Sequence, residues 1–236
     1  MTIQNREAFL DNIAANLGRD RRTSGVKRPE WSLRPQDEVL NNLSADDLVK
    51  VLELQCSAIH TSFKRTTLSD LGSALTDTVK EYNGKSIVAG SDQRLYSFGL
   101  DTLFSRLEKE GAEIHLWDQE LGEQNKTFAE RADIGICFSD VTLAESATVT
   151  LFIDQANGRS ISLLPESFIA IIPKSTLVPR LTQATRRIHE AVERGEVTPS
   201  CVSFISGPSN SADIEMKLIV GVHGPIRATY ILVEDC

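Results

Sequence analysis

A chain of 236 residues, 41% hydrophobic and 25% charged, holds enough apolar material for one large domain, or a domain with an appendage, that buries roughly 70% of its unfolded surface. A formal net charge of -8 excludes a general affinity for nucleic acid, which needs clustered Lys and Arg against phosphates. No apolar run reaches the roughly 18 residues of a membrane span, and Met1 to Glu7 lacks the pattern of a signal peptide, so a cytoplasmic protein is expected.

Arg6 to Leu17 is amphipathic and stops at Gly18, which predicts a short helix. Arg19 to Pro35 follows with six basic residues against two acidic ones, two prolines and no apolar period. It reads as a linker or extended arm, solvated or gripping an acidic partner. Residues 1–43 are therefore set apart as a helix and basic linker, and 44–236 as the main domain.

Ser44-x-x-Asp47 opens a helix with Leu48, Val51, Leu52, Cys56 and Ile59 on one face. A second helix runs from Thr67-x-x-Asp70 through Leu71, Leu75 and Val79 to Gly84. The period then shortens: Ser86 to Ala89 predicts a strand, Leu100 to Leu107 a helix, Ile114 to Trp117 a strand, Gln124 to Ala132 a helix, and Ile134 to Phe138 a strand. Such alternation indicates βαβ crossovers and a parallel sheet covered on both faces, an α/β fold with flanking helices and an N-terminal helical extension. Further strands are expected over 148–153, 168–172, 202–205, 218–222 and 229–233, with one long helix from Thr176 to Arg194.

Cys56, Cys137, Cys201 and Cys236 stand far apart, as do His60, His115, His189 and His223, so no metal and no iron-sulfur cluster is expected. The sequence shows neither Gly-x-Gly-x-x-Gly after a strand nor a Walker loop, and no cofactor is expected.

Three segments can carry chemistry. Glu145 sits at a tight link between apolar strands, beside Ser146, where a carboxylate can act as nucleophile or general base; the plainer reading is a turn glutamate. Arg159 after Gly158 can present a fork to a carboxylate or phosphate, or simply lie in water. The segment Gly207-Pro208-Ser209-Asn210-Ser211-Ala212-Asp213-Ile214-Glu215 reads as a hydroxyl-rich turn into a helix, where Ser209, Asn210 and Ser211 can donate to an anion while Asp213 and Glu215 favour the helix dipole. Ordinary N-capping is the alternative there. His223 and Gly224 form a tight turn near the same crevice, although a lone histidine is commonly a satisfied structural one.

Asp133-Ile134-Gly135, Leu143-Ala144-Glu145-Ser146, Arg159-Ser160, Leu163-Leu164-Pro165, Gly207-Pro208-Ser209, Ala212-Asp213-Ile214-Glu215 and Gly221-Val222-His223-Gly224-Pro225 occur in the order seen in the lactate utilization protein C (LutC-type, LUD domain) family, and the chain resembles it from about residue 45 onward. The resemblance implies a fold similar to the sugar-phosphate isomerase and CoA-transferase superfamily. It also implies a part in bacterial oxidation of L-lactate to pyruvate beside two iron-sulfur oxidoreductase-like subunits; with no clustered metal ligands in the chain, a non-redox component is expected, binding a small carboxylate or phosphate-type anion in a crevice formed by Glu145, Arg159, Ser209 and His223. An acyl- or CoA-transfer enzyme using Glu145, or a purely assembling subunit, are the alternatives. Ala147 stands where the family wording has Gly, and Asn210 where it has Arg, which bears on backbone freedom and on the charge of the anion site.

Overall fold

The computed structural model describes residues 4–27, 30–196, 199–214 and 216–236. The chain divides into two compact units, Met1–Pro35 and Gln36–Cys236. In the first, α1 (Arg6–Asn16) ends before Gly18, whose φ of 63° suits only a residue without Cβ strain. Arg21 of the basic arm folds back onto that helix, bonding Glu7 and Asp11.

The second unit opens with α2 (Pro35–Glu38) and α3 (Ala45–Ala58), whose N-cap Ser44 accepts from the Asp47 N–H. Then follow β1 (Ser62–Thr66), α4 (Leu71–Glu81), β2 (Ser86–Ala89), α5 (Arg94–Ser97), α6 (Leu100–Lys109), β3 (Glu113–Leu116), α7 (Glu123–Arg131) and β4 (Ile134–Phe138). The chain continues through β5 (Val141–Leu143), β6 (Thr148–Ile153), α8 (Ser160–Leu163), β7 (Ser167–Pro173), β8 (Leu177–Val178), α9 (Leu181–Glu193), β9 (Cys201–Ile205), β10 (Asn210–Ile214), β11 (Lys217–Val220) and β12 (Arg227–Val233). Among the described residues no helix is long and apolar enough to cross a membrane.

Six strands form one all-parallel sheet in the order β1-β12-β7-β4-β2-β3. Strands β2, β4 and β7 are buried along their whole length, because helices cover one face and helices plus a second sheet the other. One face packs α4 and α6 through Leu71, Leu75 and Phe104; the other packs α3, Phe128 of α7 and the small sheet β8-β5-β6-β9 through Leu52, Val149 and Leu151. From β2 the chain moves outward to β3 and then returns to β4 on the opposite side, so the strand order reverses between β2 and β4.

Several expectations need correction. The sequence does not flag Ser62–Thr66 as a strand because Lys64 and Arg65 interrupt its apolar character; it is an edge strand whose charges pair with Glu81 and Glu234. The expected helix from Thr176 begins only at Leu181, since Leu177 and Val178 pair with Thr142 and Leu143 as β8. Gly207 onward does not enter a helix: Asn210–Ile214 is β10, paired antiparallel with β11. Hydroxyl-rich turns precede hairpins as readily as helices, and both alternatives considered for Asp213, dipole and cap, require a helix that does not form.

Motif residues explain much of this packing. Asp133 Oδ2 accepts from the N–H groups of Lys85 (2.7 Å) and Ser86 (2.9 Å) and from the Ser86 hydroxyl (3.0 Å), fastening β4 to β2. A Cβ on Gly135 would lie 1.9 Å from the Ile161 carbonyl oxygen, so only glycine lets α8 cross β4.

Candidate functional site

Glu145 lies in the turn joining β5 to β6. Its N–H donates to the Pro179 carbonyl (3.1 Å) and its Oε2 accepts from Arg180 Nε (2.7 Å), at the junction of β8 and α9. The turn closes on Ala147, fully buried with φ 46°, a left-handed conformation that costs an L-residue about 1 to 2 kcal/mol. Alanine here keeps the backbone path that glycine would take freely. The Ser146 hydroxyl bonds Thr148 Oγ1 (2.7 Å), which bonds Ser206 Oγ (2.7 Å), so a chain of hydroxyls links this turn to the end of β9.

The next residue, Gly207, donates its N–H to the Tyr230 hydroxyl (2.9 Å), which itself donates to the Ile205 carbonyl (3.0 Å). Burial pushes the Tyr230 phenol well above its usual range and keeps it a donor. Gly207 has φ 71°, and a Cβ there would come within 2.7 Å of the Ile59 carbonyl oxygen. Ser209 then donates to the Pro225 carbonyl and accepts from the Gly221 N–H, both at 2.8 Å, which closes the base of the β10–β11 hairpin. A Cβ on Gly224 would sit 3.2 Å from both Ser209 Cβ and the Leu163 carbonyl at the end of α8.

Ser209, Gly224 and α8 thus meet, and the hydroxyl chain runs from their neighbour Gly207 back toward Glu145. Arg159 caps the other end of α8, exposed, and its guanidinium has no hydrogen-bond partner among the described residues. His223 is exposed in the same way. Asn210 Nδ2 donates to the Pro208 carbonyl (3.3 Å), and the Ser211 hydroxyl donates to Asp213 Oδ2 (2.9 Å). Glu215 lies outside the described residues. The cation paired with Glu145 is Arg180, which sequence reasoning missed; a basic residue directly before a helix and after a Pro was the available signal.

Sequence reasoning also missed the carboxyl end of the sheet, beside the reversal of strand order. There Arg94 Nη2 donates to Asp92 Oδ2 (2.5 Å) and Asp140 Oδ1 (2.7 Å), its Nη1 to the Ser139 carbonyl (3.3 Å), and its guanidinium lies 5.0 Å over the Phe138 ring. Asp140 Oδ2 accepts from the Phe152 N–H at 2.7 Å. Burial raises Asp140 above the usual carboxylate range and outweighs Arg94. Burial acts on Asp92 too, but its bonds from Arg94 prevail and hold it low. A Cβ on Gly90 would fall 1.9 Å from Asn157 Oδ1, so glycine lets the 154–158 loop settle over the strand ends. Beside that loop opens a cavity of about 1130 Å³ lined by Trp117, Gln119, Lys126, Phe152, Asp154 and Gln155 among others.

The buried thiols are core side chains: burial raises Cys137 and takes Cys56 to about 12, which keeps both protonated and poor as ligands or nucleophiles. Among the described residues no three His, Cys, Asp or Glu side chains converge as a metal site.

The sheet order, its two covered faces and the motif glycines that seat α8 and the hairpin define an α/β protein with an added antiparallel sheet. The LUD domain family model matches residues 49–233, and the chain belongs to that family, in its lactate utilization protein C group. Proteins named lactate utilization protein C are 55% identical over 234 residues in Oceanobacillus iheyensis (99% of this chain, 100% of the relative), 52% over 234 in Geobacillus kaustophilus (99% and 98%) and 50% over 235 in Bacillus subtilis (99% and 98%). A crystal structure of a DUF162 family protein from Deinococcus radiodurans shares the fold, with a TM-score of 0.57 at 18% identity over 81% of this chain and 99% of that one.

Proposed function

We propose that this protein takes part in lactate utilization as a non-redox component of a bacterial system that oxidises L-lactate to pyruvate in the cytoplasm, beside two iron-sulfur oxidoreductase-like subunits. The observation that carries this reading is identity of about one half, over essentially the whole length of both chains, with proteins named lactate utilization protein C. Deleting the gene abolishes growth on lactate under this proposal; undiminished growth and lactate oxidation would sink it.

In the same reading a small carboxylate or phosphate-type anion bridges Arg159, at the start of the four-residue α8, and the Ser209 and His223 segment at the base of the β10–β11 hairpin, which meets the other end of that helix. The unpaired guanidinium of Arg159 supports this, because a free fork on a short helix has donors to spend on an anion. Glu145 would act through its turn, with Ser146 and the hydroxyl chain shaping the wall of the hollow. Calorimetry with lactate, pyruvate and inorganic phosphate tests the site: binding that weakens at least tenfold in Arg159→Ala supports it, and no heat with any of the three refutes it. The acyl-transfer alternative is less favoured, since the Arg180 pair withdraws nucleophilicity from Glu145. An acyl adduct on Glu145 after incubation with acyl-CoA, seen by mass spectrometry, would reverse that preference.

A further inference from the structure

We propose that the cavity beside Trp117 is a second ligand site, one that takes an uncharged planar heteroaromatic compound of the nucleoside kind. Its position is the first argument. It opens at the carboxyl end of β3, where Trp117 and Gln119 line it, beside the strand β2 at which the strand order reverses toward β4, which is where open parallel sheets leave a crevice. None of Glu145, Arg159, Ser209 or His223 lines it, so the inference stands apart from the anion site.

The wall is built in advance. Trp117 directly follows β3, its N–H donates to the Ala89 carbonyl (2.8 Å), and the benzo edge of its ring lies so flat on Gly158 that a Cβ there would come within 2.0 Å of Cζ2. The indole is therefore clamped on one side while it stays half-exposed toward the cavity, and its Nε1–H has no protein acceptor among the described residues. Asn125, 1% exposed, locks the neighbouring loop by donating to the Asp118 carbonyl (2.6 Å) and accepting at Oδ1 from the Asp118 N–H (3.3 Å). A fixed aromatic platform suits a planar ring, because stacking gains little from a partner that must first be ordered.

Charge and hydrogen-bond capacity narrow the class. The lining carries one cation, Lys126, against two carboxylates, Glu123 and Asp154, and Lys126 Nζ is already 2.6 Å from Glu123 Oε1, so an anion meets net repulsion. The carboxamides of Gln119 and Gln155 have no partners among the described residues, and each offers the donor and acceptor pair that reads the edge of a nucleobase-like ring. The volume, about 1130 Å³, lies just above the range of about 300 to 1,000 Å³ usual for small-molecule sites and leaves room for a ring with a sugar attached.

The test uses the full chain with Trp31→Phe, which leaves Trp117 as the sole reporter of the two tryptophans. Adenosine, uridine and riboflavin are titrated to their solubility, with lactate and inorganic phosphate alongside. A saturable change in Trp117 emission with at least one ring compound is expected, matched by calorimetry. On the otherwise natural chain Trp117→Leu should then weaken that affinity at least tenfold. Gln155→Ala, whose melting temperature should not move, weakens it at least threefold and keeps the test valid if Trp117→Leu fails to fold. No saturable binding by any of the three, an affinity indifferent to Gln155→Ala, or an equal response to lactate or phosphate would each overturn the proposal.

Discussion

Asp133 and Asp140 bracket the same strand, β4, yet their surroundings push them in opposite directions. Asp133 stands at the amino end of the sheet, where the first N–H groups of β2 point outward and find a carboxylate to accept them. Burial would raise its pKa, but the bonds from Lys85 and Ser86 prevail and lower it. Asp140 stands at the carboxyl end, where the free backbone groups are carbonyls such as that of Ser139, which offer a carboxylate nothing. Asp140 has there one N–H, that of Phe152 from the second sheet, and a share of Arg94 with Asp92, and burial outweighs both, so Asp140 is raised. Asp140 is thus the costly carboxylate, while Asp92 at the same end is held low because its bonds from Arg94 outweigh burial.

The comparison breaks most visibly at Arg94. Arg94→Ala leaves two largely buried carboxylates, 13% and 20% exposed, without a counter-ion, and should lower stability by about 3 kcal/mol, read from urea midpoints at neutral pH. Asp133→Asn removes charge from a site that keeps its N–H donors, and a smaller loss of about 1 to 2 kcal/mol is expected in the same measurement.

Titration sharpens the contrast through its sign. A depressed folded-state pKa at Asp133 gives stability that is present above the unfolded value of about 3.9 and lost as pH falls through the folded one. A raised pKa at Asp140 gives stability that is present below about 3.9 and lost as pH rises through the folded value. The deficit of Asp133→Asn against the parent should therefore grow from acid to neutral pH while that of Asp140→Asn shrinks; parallel profiles would refute the assignment. The smallest effect belongs to Glu145→Gln, which breaks a pair with side chains 27% and 41% exposed and should cost about 0.5 kcal/mol or less in a thermal melt.

Periodicity located the buried strands well. Ile134 to Phe138 and Thr229 to Val233 are apolar runs whose only economical place is the middle of a covered sheet, and Leu48, Leu52 and Cys56 repeat at the spacing that puts them on one face of α3. Periodicity failed where a segment's partner decides its state. Leu177 and Val178 suit a helix as well as a strand until Thr142 and Leu143 pair with them, and residues 207 to 214 become a hairpin because β11 is there to receive β10.

The candidate sites show the same divide more sharply. Composition and residue order sufficed for the α/β class and the family, since each leaves a local mark: apolar runs at a fixed period and motifs in a fixed order. No local mark tells which distant residue pairs with which. Arg180 reaches Glu145 across 35 positions and Arg94 reaches Asp140 across 46, and the cavity at Trp117 exists because residues 154–158 fold down over Gly90. Which charges meet, and which hollow stays open, follow from sheet order and crossover path. Those are set by the packing of the whole chain and by no window within it.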